Sequence, residues 1–347
     1  MPGLKEIAEK AGVSIETVSR ILSGRYKGKT QKSIRRKEEV ERIAREENYK
    51  PHTGARAMRT KKNGLVGVII DEHTLISHTA ITEILKGINL ALEERGYITT
   101  FTTLPDISEN SLNSRVFKEK LLDGIILIDN IREKQVERIR STISPCVLVN
   151  NNKWEDKLCV RRDEYAAGFA AGKELASLGY KRALYFDTKQ AAGMDPKEQH
   201  YSVDDRFFGF ENGFSAPGQS IMRVRTTGEN VKKNLLERYE EIDQQTVIVA
   251  SQNFRLYRLH SVLSQMPLCP GKNFGLACID DEYGLNFSWP ELSKVSFDRG
   301  KIGRIAAEMM VNYLEGNEDK CKSLHIKGEW AGGQTTPQLK KDKKESG

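Results

Sequence analysis

The sequence of 347 residues lacks any run of about 20 apolar residues, the length that a membrane-spanning helix needs. Its first residues, MPGLKEIAEKAGV, include acidic side chains and no apolar core run, so they are not typical of a secretory signal. These two absences argue against a membrane-spanning or exported protein. We expect a protein of the cytoplasm that has no membrane partner.

Cysteine is scarce, and no two of the cysteines form a C-x-x-C pair. We therefore expect free, buried thiols and no structural metal. The sequence also lacks G-x-G-x-x-G after its first predicted strand, G-x-x-x-x-G-K-[ST] and G-x-S-x-G, the motifs of dinucleotide, P-loop and hydrolase chemistry. The absence of all three favours a binding protein without a cofactor over an enzyme. The cysteines are Cys146, Cys159, Cys269, Cys278 and Cys321.

Positive charge is concentrated at one end of the chain. Residues 1–62 contain 17 Lys and Arg against 8 Asp and Glu, so the remaining residues carry a net charge of about minus two. Seven basic residues and no acidic residue lie between Arg25 and Lys37. Such a confined basic surface suits a phosphate backbone better than a small acidic ligand, and an ordinary solvated helix face is the alternative.

The first 23 residues have the pattern of two short helices joined by a tight turn. Gly12 follows the first apolar stripe, where a chain leaving a helix takes a positive φ at little cost. Ser14 is suited to cap a second helix. Two short helices in this arrangement form a helix-turn-helix, whose second helix enters the DNA major groove. The first stripe consists of Leu4, Ile7, Ala8 and Ala11, and the second of Val18, Ile21 and Leu22.

The outward face of the second helix carries groups that recognise base edges. Glu16 can accept a hydrogen bond from cytosine N4, and Arg20 can form a bidentate pair with guanine. Ser14 and Ser19 can bind phosphates. The alternative for Glu16 is a carboxylate that stabilises the N-terminus of its own helix.

The segment LKEIAEKAGVSIETVSRILSG, followed by ENYKPHTGARAMRTKKNGLVGVII, resembles the lactose-repressor (LacI/GalR) family. In that family a third helix precedes an N-Y-x-P segment, a short hinge helix and the first strand of a sensor domain. Residues 48–51 match the N-Y-x-P segment, and residues 55–58 match the hinge. Between Gly24 and Val40 the chain is about four residues longer than the family and more basic, which predicts an extra loop with phosphate contacts.

The resemblance implies that Met58 takes the place of a leucine that wedges into the minor groove and partly unstacks a base step. Taken alone, a methionine would more often be a core or interface residue. The resemblance and the outward helix face together predict the following DNA-binding residues: Leu4, Ser14, Ile15, Glu16, Thr17, Ser19, Arg20, Ser23, Ala57 and Met58.

From Leu65 onwards, continuous apolar strands alternate with helices in two successive series. This pattern predicts parallel sheets covered on both faces, and hence two α/β lobes. The predicted strands cover residues 65–70, 97–101, 123–128 and 146–150 in the first series and 182–187, 221–226, 246–250 and 274–280 in the second, and the main predicted helices cover 79–96 and 163–179.

Ligands of open α/β sheets bind beyond the carboxyl ends of the strands, where Asp71, Asn150, Asp187, Ser251 and Asp280 lie. The two-lobed pattern resembles the periplasmic sugar-binding proteins, whose fold the LacI/GalR family uses as its sensor.

That resemblance places Arg206 at the family's effector-binding arginine, Asp280 at its effector aspartate, and Asn150 where some relatives have aspartate. An arginine with carboxylate and amide partners suits a polyhydroxyl ligand, and an arginine alone could clamp an acid group. Arg206 could instead pair with Asp204 or Asp205.

Two stretches depart from the family in this region. ASQNF (250–254) replaces the usual Asn-Asp pair and leaves Ser251 and Gln252. DEHTLISHTA lacks the common Asn-Pro-Phe, which makes His73 and His78 candidate pocket groups, with a lone surface histidine as the alternative. The predicted effector-binding residues are Asp71, His73, Asn150, Arg206, Ser251 and Asp280.

We therefore expect an all-α helix-turn-helix headpiece (1–52), a hinge helix and linker (53–63), a two-lobed α/β sensor and dimerisation domain with parallel sheets (64–337) and a disordered tail (338–347). The expected function is transcriptional regulation, with repression as the family's commoner mode. A homodimer would bind a pseudo-palindromic operator, and a small-molecule effector, with a sugar as first candidate, would control its affinity. The alternatives are a DNA-binding dimer with a degenerate, ligand-free sensor domain, and a small-molecule-binding protein with a basic N-terminus.

Overall fold

The chain divides into two compact units, Met1–Asn63 and Gly64–Gly347. The first is all-helical and the second is built from parallel sheets covered by helices, which confirms the predicted fold class. The computed structural model describes residues 3–23, 26–49, 62–71, 81–104, 117, 119–129, 131–188, 199–226, 230–280 and 290–339.

The first unit contains the predicted helix-turn-helix. Helix α1 (Leu4–Ala11) ends at Gly12, whose φ of 61° lies in the left-handed region that glycine adopts without strain. Helix α2 (Ile15–Leu22) begins after Ser14, whose hydroxyl accepts a hydrogen bond from the backbone N–H of Thr17 at 3.2 Å. The turn and the cap are therefore both specified by local residue chemistry.

Helix α3 (Gln31–Glu46) completes this unit and begins inside the segment that was predicted to be an extra basic loop. The prediction was wrong for residues 31–37, because the Thr30 hydroxyl accepts a hydrogen bond from the Ser33 N–H at 3.3 Å and so caps a helix there. Apolar side chains from all three helices form one small core: Ile7, Ala8, Val18, Ile21, Val40, Ile43 and Ala44.

The second unit contains two six-stranded sheets, which we call the N-lobe and C-lobe sheets. The N-lobe sheet has the order β11-β5-β4-β3-β1-β2, and the C-lobe sheet has the order β12-β10-β9-β8-β6-β7. Neighbouring strands are parallel, except that β10 and β12 are antiparallel. The strands are β1 (Leu65–Asp71), β2 (Ile98–Leu104), β3 (Gly124–Ile128), β4 (Cys146–Val149), β5 (Cys159–Asp163), β6 (Arg182–Thr188), β7 (Ser220–Thr226), β8 (Thr246–Ala250), β9 (Gly275–Cys278), β10 (Ser293–Ser296), β11 (Leu324–Lys327) and β12 (Glu329–Ala331).

Helices cover both sheets, and the central strands are consequently buried. Every residue of β3, β4, β8 and β9 is buried, which explains their continuous apolar sequences. The helices of this unit are α4 (Ile81–Glu94), α5 (Glu133–Thr142), α6 (Glu164–Ser177), α7 (Tyr201–Gly213), α8 (Val231–Leu236), α9 (Asn253–Leu263) and α10 (Arg299–Leu314), with short 3-10 turns at Tyr239–Glu241 and Glu318–Lys320.

The two lobes are not simply consecutive in the chain. Strand β11 joins the N-lobe sheet beside β5, and β12, which starts two residues later, joins the C-lobe sheet beside β10. Helix α10 packs in the N-lobe core, where Ile302 and Ala306 contact residues of α4 and the sheet. The predicted pattern of two complete series in a row therefore missed that the C-terminal segment returns to the first lobe.

Residues 338 and 339, which were predicted to belong to a disordered tail, are part of the second unit. Leu339 donates its backbone N–H to the Leu178 carbonyl at 2.9 Å, and its side chain packs on the C-lobe core beside Gly179. Assigning residues 338 and 339 to a disordered tail was wrong. Leu339 makes an apolar contact that the polar residues around it in the sequence do not indicate.

None of the described helices is long and apolar enough to cross a membrane. In the same part of the chain, no group of three or more His, Cys, Asp or Glu side chains could hold a metal ion. None of the five cysteines forms a disulfide, and all but Cys269 are buried. Burial raises the pKa of the Cys146 thiol to about 11.

Close packing of α10 against α4 generates a stability prediction. A Cβ added at Gly303 would lie 2.1 Å from the Ile84 carbonyl oxygen, whereas one added at Gly300 would meet nothing closer than 3.6 Å. We expect Gly303→Ala to lower the free energy of unfolding by about 1–3 kcal/mol or more through overpacking. Gly300→Ala in the same helix should be neutral or stabilising by up to about 1 kcal/mol. Urea unfolding of both variants checks this, and equal midpoints would contradict the close approach of the two helices.

Candidate functional site

Helix α2 presents a polar face to solvent. Its apolar residues Val18 and Ile21 are buried in the headpiece core, while Ile15, Glu16 and Arg20 are exposed. Glu16 and Arg20 are four residues apart, so they lie on the same face of the helix. This face therefore carries one acceptor and one forked donor, the pair of groups that was predicted to meet base edges.

The hydroxyl residues around α2 have structural roles as well. The Ser14 hydroxyl caps the helix and lies 2.9 Å from the Thr17 hydroxyl, and Ser23 donates to the Arg20 carbonyl at 3.2 Å. Ser19 is half-buried. Leu4 packs against the core of the headpiece, so its predicted DNA contact depends on the exposed part of its side chain. Ala57 and Met58 lie outside the described residues.

Five basic side chains around the start of α3 are exposed, and the structure describes no ion pair for any of them within the ranges it covers. Further along the same helix, Arg42 pairs with Glu39 and Glu46, both at 2.6 Å. These five cations thus remain available for phosphates, whereas Lys37 and Arg42 are paired within the helix. The five are Lys27, Lys29, Lys32, Arg35 and Arg36.

In the second unit, a cluster of charged side chains lies between the lobes. Asp280, which follows the C-lobe strand β9, pairs with Arg162 on the N-lobe strand β5 at 3.1 Å. It also pairs with Arg299, which begins α10 in the N-lobe. The carboxylate of Asp280 therefore joins the two lobes at the carboxyl ends of their strands, where ligands of such sheets bind.

Arg206 lies on α7, is fully buried and belongs to the same cluster. Its Nε donates to Glu164 Oε2 at 2.9 Å, its Nη2 lies 2.7 Å from the same oxygen, and its Nη1 donates to the Ser251 carbonyl. The Asp280 carboxylate is 3.8 Å away. The alternative pairing with Asp204 is wrong, since that carboxylate instead pairs with Arg223 at 2.8 Å.

Glu164, at the start of α6, is the carboxylate that balances this cluster, and its side chain has no exposed surface. It also pairs with Arg162 at 2.9 Å. Burial by itself would lower the pKa of Arg162, but the charges of Glu164 and Asp280 outweigh burial and raise it. Arg206 has the same balance of causes, and its pKa is also raised. Both guanidinium groups consequently stay charged inside the protein.

Asn150 takes part in a second set of interlobe contacts. Its side-chain oxygen accepts from the Arg162 N–H at 3.2 Å, and its carbonyl accepts from His200 Nε2 at 2.7 Å. Asn152 accepts from the Tyr201 N–H at 2.8 Å and donates to the Gln199 carbonyl at 2.9 Å. The loop after β4 is thereby fastened to the residues before α7, and Asn150 has a structural role in addition to the predicted effector contact.

The remaining predicted cleft residues differ in their surroundings. Asp187 is buried and paired with Arg223, so its carboxylate is occupied. The Ser251 hydroxyl is buried and has no hydrogen-bond partner among the described residues. Asp71 ends strand β1, but its side chain, like His73 and His78, lies outside the described part of the structure.

Comparison with known proteins agrees with this geometry. Residues 3–52 match the model of "bacterial regulatory proteins, lacI family". The chain is 22% identical to the HTH-type transcriptional regulator MalR of Staphylococcus xylosus over 324 residues, which cover 91% of this chain and 93% of MalR. Its N-terminal segment therefore matches the LacI family, and most of the chain is similar to a transcriptional regulator.

Solved structures of LacI-family regulators have the same fold. The lac repressor dimer bound to operator and the anti-inducer ONPF matches with a TM-score of 0.75 at 14% identity, covering 97% of this chain and 99% of that one. The complex of the transcriptional regulator CelR with cellobiose matches with a TM-score of 0.65 at 19% identity, covering 96% of this chain and 100% of that one.

Three residues of the interlobe cluster were not predicted from the sequence. Glu164 had been assigned only to a predicted helix, Arg162 fell outside the predicted strands, and Arg299 was not considered. The sequence feature that could have indicated them is the pair of charged residues Arg162 and Glu164. These two residues flank Asp163, where the chain crosses from one lobe to the other. Charges at such a crossover are candidates for burial, because both lobes can cover them.

The ion-pair cluster predicts a large energetic coupling. Arg206→Met leaves Glu164 buried with one guanidinium fewer, and we expect it to lower the free energy of unfolding by about 3–5 kcal/mol. Adding Glu164→Gln should restore a large part of that loss, since the uncompensated charge is then removed. Urea unfolding of the two single variants and the double variant measures the coupling.

Arg182→Met is the matched control, because Arg182 pairs with Asp243 at an exposed site. We expect it to cost no more than about 1 kcal/mol. Strictly additive costs for Arg206→Met and Glu164→Gln would contradict the assignment of Glu164 as the partner of Arg206.

Proposed function

We propose that this protein is a sequence-specific DNA-binding transcriptional regulator, acting as a repressor, whose operator affinity responds to a small polyhydroxyl effector held between its lobes. It works as a homodimer in the cytoplasm, on the nucleoid, and is a binding protein rather than an enzyme. The proposal rests most heavily on one observation, the polar face of α2 beside five exposed cations around the start of α3 for which the structure describes no ion pair.

This observation separates two kinds of DNA contact. Glu16 and Arg20 can address base edges, and the exposed lysines and arginines around the start of α3 supply phosphate contacts. Ser14, Ile15, Thr17, Ser19, Ser23 and Leu4 complete the proposed headpiece contacts. Ala57 and Met58, which lie outside the described residues, are proposed to add the minor-groove contact that the family resemblance implies.

The effector part of the proposal rests on the interlobe cluster. Arg206, Ser251 and Asp280 supply both donors and acceptors at the carboxyl ends of C-lobe strands. Asn150 closes the cleft from the N-lobe side, and Asp71 and His73 are proposed as further contacts. A ligand here changes the angle between the lobes, and the hinge segment transmits the change to the headpieces. The CelR complex with cellobiose supports a sugar as the ligand.

The dimer is supported by apolar residues on the outer strands. Ile98 and Phe101 on β2 are 56% and 47% exposed, and Met222 on β7 is 42% exposed. Strands β2 and β7 are the corresponding outermost strands of the two described sheets. A second copy would cover both edges together, and the lac repressor dimer supports this assembly.

The test of DNA recognition is selection of bound duplexes from a random pool, followed by sequencing. We expect a palindromic sequence to be enriched, with half-sites related by the two-fold symmetry of a dimer. Arg20→Ala should weaken binding to the selected operator by about 1–3 kcal/mol, roughly tenfold or more, and relax the preference at one position of each half-site.

Arg42→Ala is the matched control, because that arginine is already paired within α3. Lys32→Ala should weaken binding to all duplexes alike and reduce the salt dependence. Salt-sensitive binding with no enriched sequence would mean that the headpiece is only a phosphate-binding surface, and the proposed regulator would be abandoned.

The assembly is tested by placing a charge on the outer strand. Phe101→Lys should convert the dimer into a monomer in analytical ultracentrifugation and weaken operator binding at least tenfold, because two linked headpieces bind together. Leu324→Lys changes a residue of similar exposure on β11, at the opposite edge of the same sheet, and should leave the dimer intact. An unchanged dimer in Phe101→Lys would place the interface elsewhere.

A further inference from the structure

A second cluster of side chains, outside the interlobe ion pairs, lies where the N-lobe meets the start of α7. Arg161 on β5 and His325 on β11 are aligned neighbours in the N-lobe sheet. The His325 ring stacks on the Trp154 ring, with the two centroids 4.1 Å apart. The guanidinium carbon of Arg161 lies 4.7 Å from the centroid of Trp154 and 4.4 Å from that of Tyr201, the first residue of α7. We call these four residues the Arg161 cluster.

The Arg161 cluster fastens the helix that carries Arg206 to the N-lobe. Tyr201 contacts Arg161 through its ring and donates its hydroxyl to the Arg162 carbonyl at 3.3 Å. Its backbone N–H donates to Asn152 at 2.8 Å. All three contacts run from the C-lobe to the N-lobe. The first turn of α7 therefore depends on Arg161 keeping its place beside Tyr201.

The place of Arg161 depends in turn on the protonation state of His325. Arg161 Nε always carries a proton, and it donates to His325 Nε2 at 3.1 Å. His325 can accept this hydrogen bond only while Nε2 has no proton of its own. Protonation would turn the acceptor into a donor and place two cations side by side. The Trp154 ring, which both side chains contact, would then face two mutually repelling cations.

The charges around His325 favour its neutral form. Burial of part of the ring and the Arg161 cation lower the pKa of His325, and the carboxylates of Asp163 and Asp205 oppose this shift without reversing it. On β11 itself, Lys327 lies on the same face of the strand and adds a further positive charge. At neutral pH His325 is therefore the unprotonated acceptor that Arg161 requires.

We propose that the Arg161 cluster is an acid-sensitive contact between the lobes: neutral His325 holds Arg161 against Tyr201, and protonation of His325 releases Tyr201 and loosens the first turn of α7. His325 is exposed, so its proton comes directly from solvent. Arg161 is a positioning residue in this arrangement, since it acts on α7 and not on a ligand. The inference adds a pH response to the proposed function and does not depend on the chemistry of the effector.

The experiment measures amide hydrogen exchange of the first turn of α7 in the full-length protein. Each rate is divided by that of an unstructured chain at the same pH, which gives a protection factor for local opening. We expect this protection to fall by about threefold or more between pH of about 8 and about 5. The midpoint of the fall should lie below the ordinary histidine pKa of about 6.5.

Two substitutions at one position fix the two states of the cluster. His325→Gln keeps an acceptor for Arg161 but does not titrate, and it should keep the protection of α7 across the whole pH range. His325→Lys places a permanent cation there and should have low protection at every pH. The matched control is His260→Gln, which removes an exposed histidine on α9 and should behave like the wild type. His200, whose ring lies 4.5 Å from that of Tyr201, is retained in all these proteins, so its own titration cancels in the comparison.

An equal fall of protection in the wild type and in His325→Gln would overturn the inference. Full protection of α7 in His325→Lys at neutral pH would overturn it as well. If His325→Lys fails to fold, the profiles of the wild type and His325→Gln still decide.

Binding to the selected operator extends the test to regulation. Over the same pH range, we expect the wild type to lose about threefold more operator affinity than His325→Gln, because a looser interlobe contact lowers the population of the arrangement that binds DNA. An equal loss in the two proteins would refute the pH response of the regulator. The absence of any enriched operator would count against the proposed function alone, and hydrogen exchange, which needs neither DNA nor effector, would still decide the role of His325.

Discussion

Two buried carboxylates, Glu164 and Asp280, hold the arginines of both lobes in one cluster, and the interlobe cleft depends on this pairing. Charges without water are tolerated only when each has a close partner, so the cluster constrains the elements that carry it. The N-lobe contributes Arg162 and Arg299, and the C-lobe contributes Arg206 with both carboxylates. The contact between the lobes and the chemistry of the proposed effector site thus depend on the same ion pairs.

The headpiece follows the opposite principle, since the charges proposed to contact DNA have no ion-pair partner among the described residues. Its core is small and apolar, and its second helix is fixed by the Ser14 cap and the turn at Gly12. The exposed cations at the start of α3 lack ion pairs in the described structure, while Arg42 is neutralised. A surface that must meet phosphates keeps its positive charge unpaired, whereas a cleft that excludes water pairs every charge it holds.

The parts of the fold that follow from local chemistry could be predicted from the sequence. Gly12 and Ser14 fixed both ends of the turn in the helix-turn-helix, and the apolar runs of β3 and β8 matched buried parallel strands within a residue. The start of α3 was missed because the stretch between Gly24 and Val40 is longer and more basic than in the family, although Thr30 supplies a cap. A helix cap depends on a single hydroxyl, and such a residue is easily overlooked within a run of basic residues.

Long-range partners could not be predicted in the same way. Arg206 was identified from the family resemblance, but its partner Glu164 is 42 residues earlier in the chain, and nothing local connects the two. Strand β12 begins two residues after β11 and joins a different sheet, which a pattern of hydrophobicity does not reveal. Contacts of this kind are set by topology, so the sequence indicated which residues are chemically interesting but not which of them meet.

The return of the C-terminal segment to the N-lobe has a consequence for how the protein is made. Helix α10 and strand β11 complete a lobe that was begun more than 200 residues earlier, so that lobe cannot finish folding until the ribosome has translated almost the whole message. The headpiece draws its core only from residues before Gly64 and is complete far sooner. A nascent chain therefore carries a complete headpiece during most of its synthesis, before its lobes are finished. Because a lone headpiece makes few contacts, unfinished chains would compete poorly with the proposed dimer for an operator.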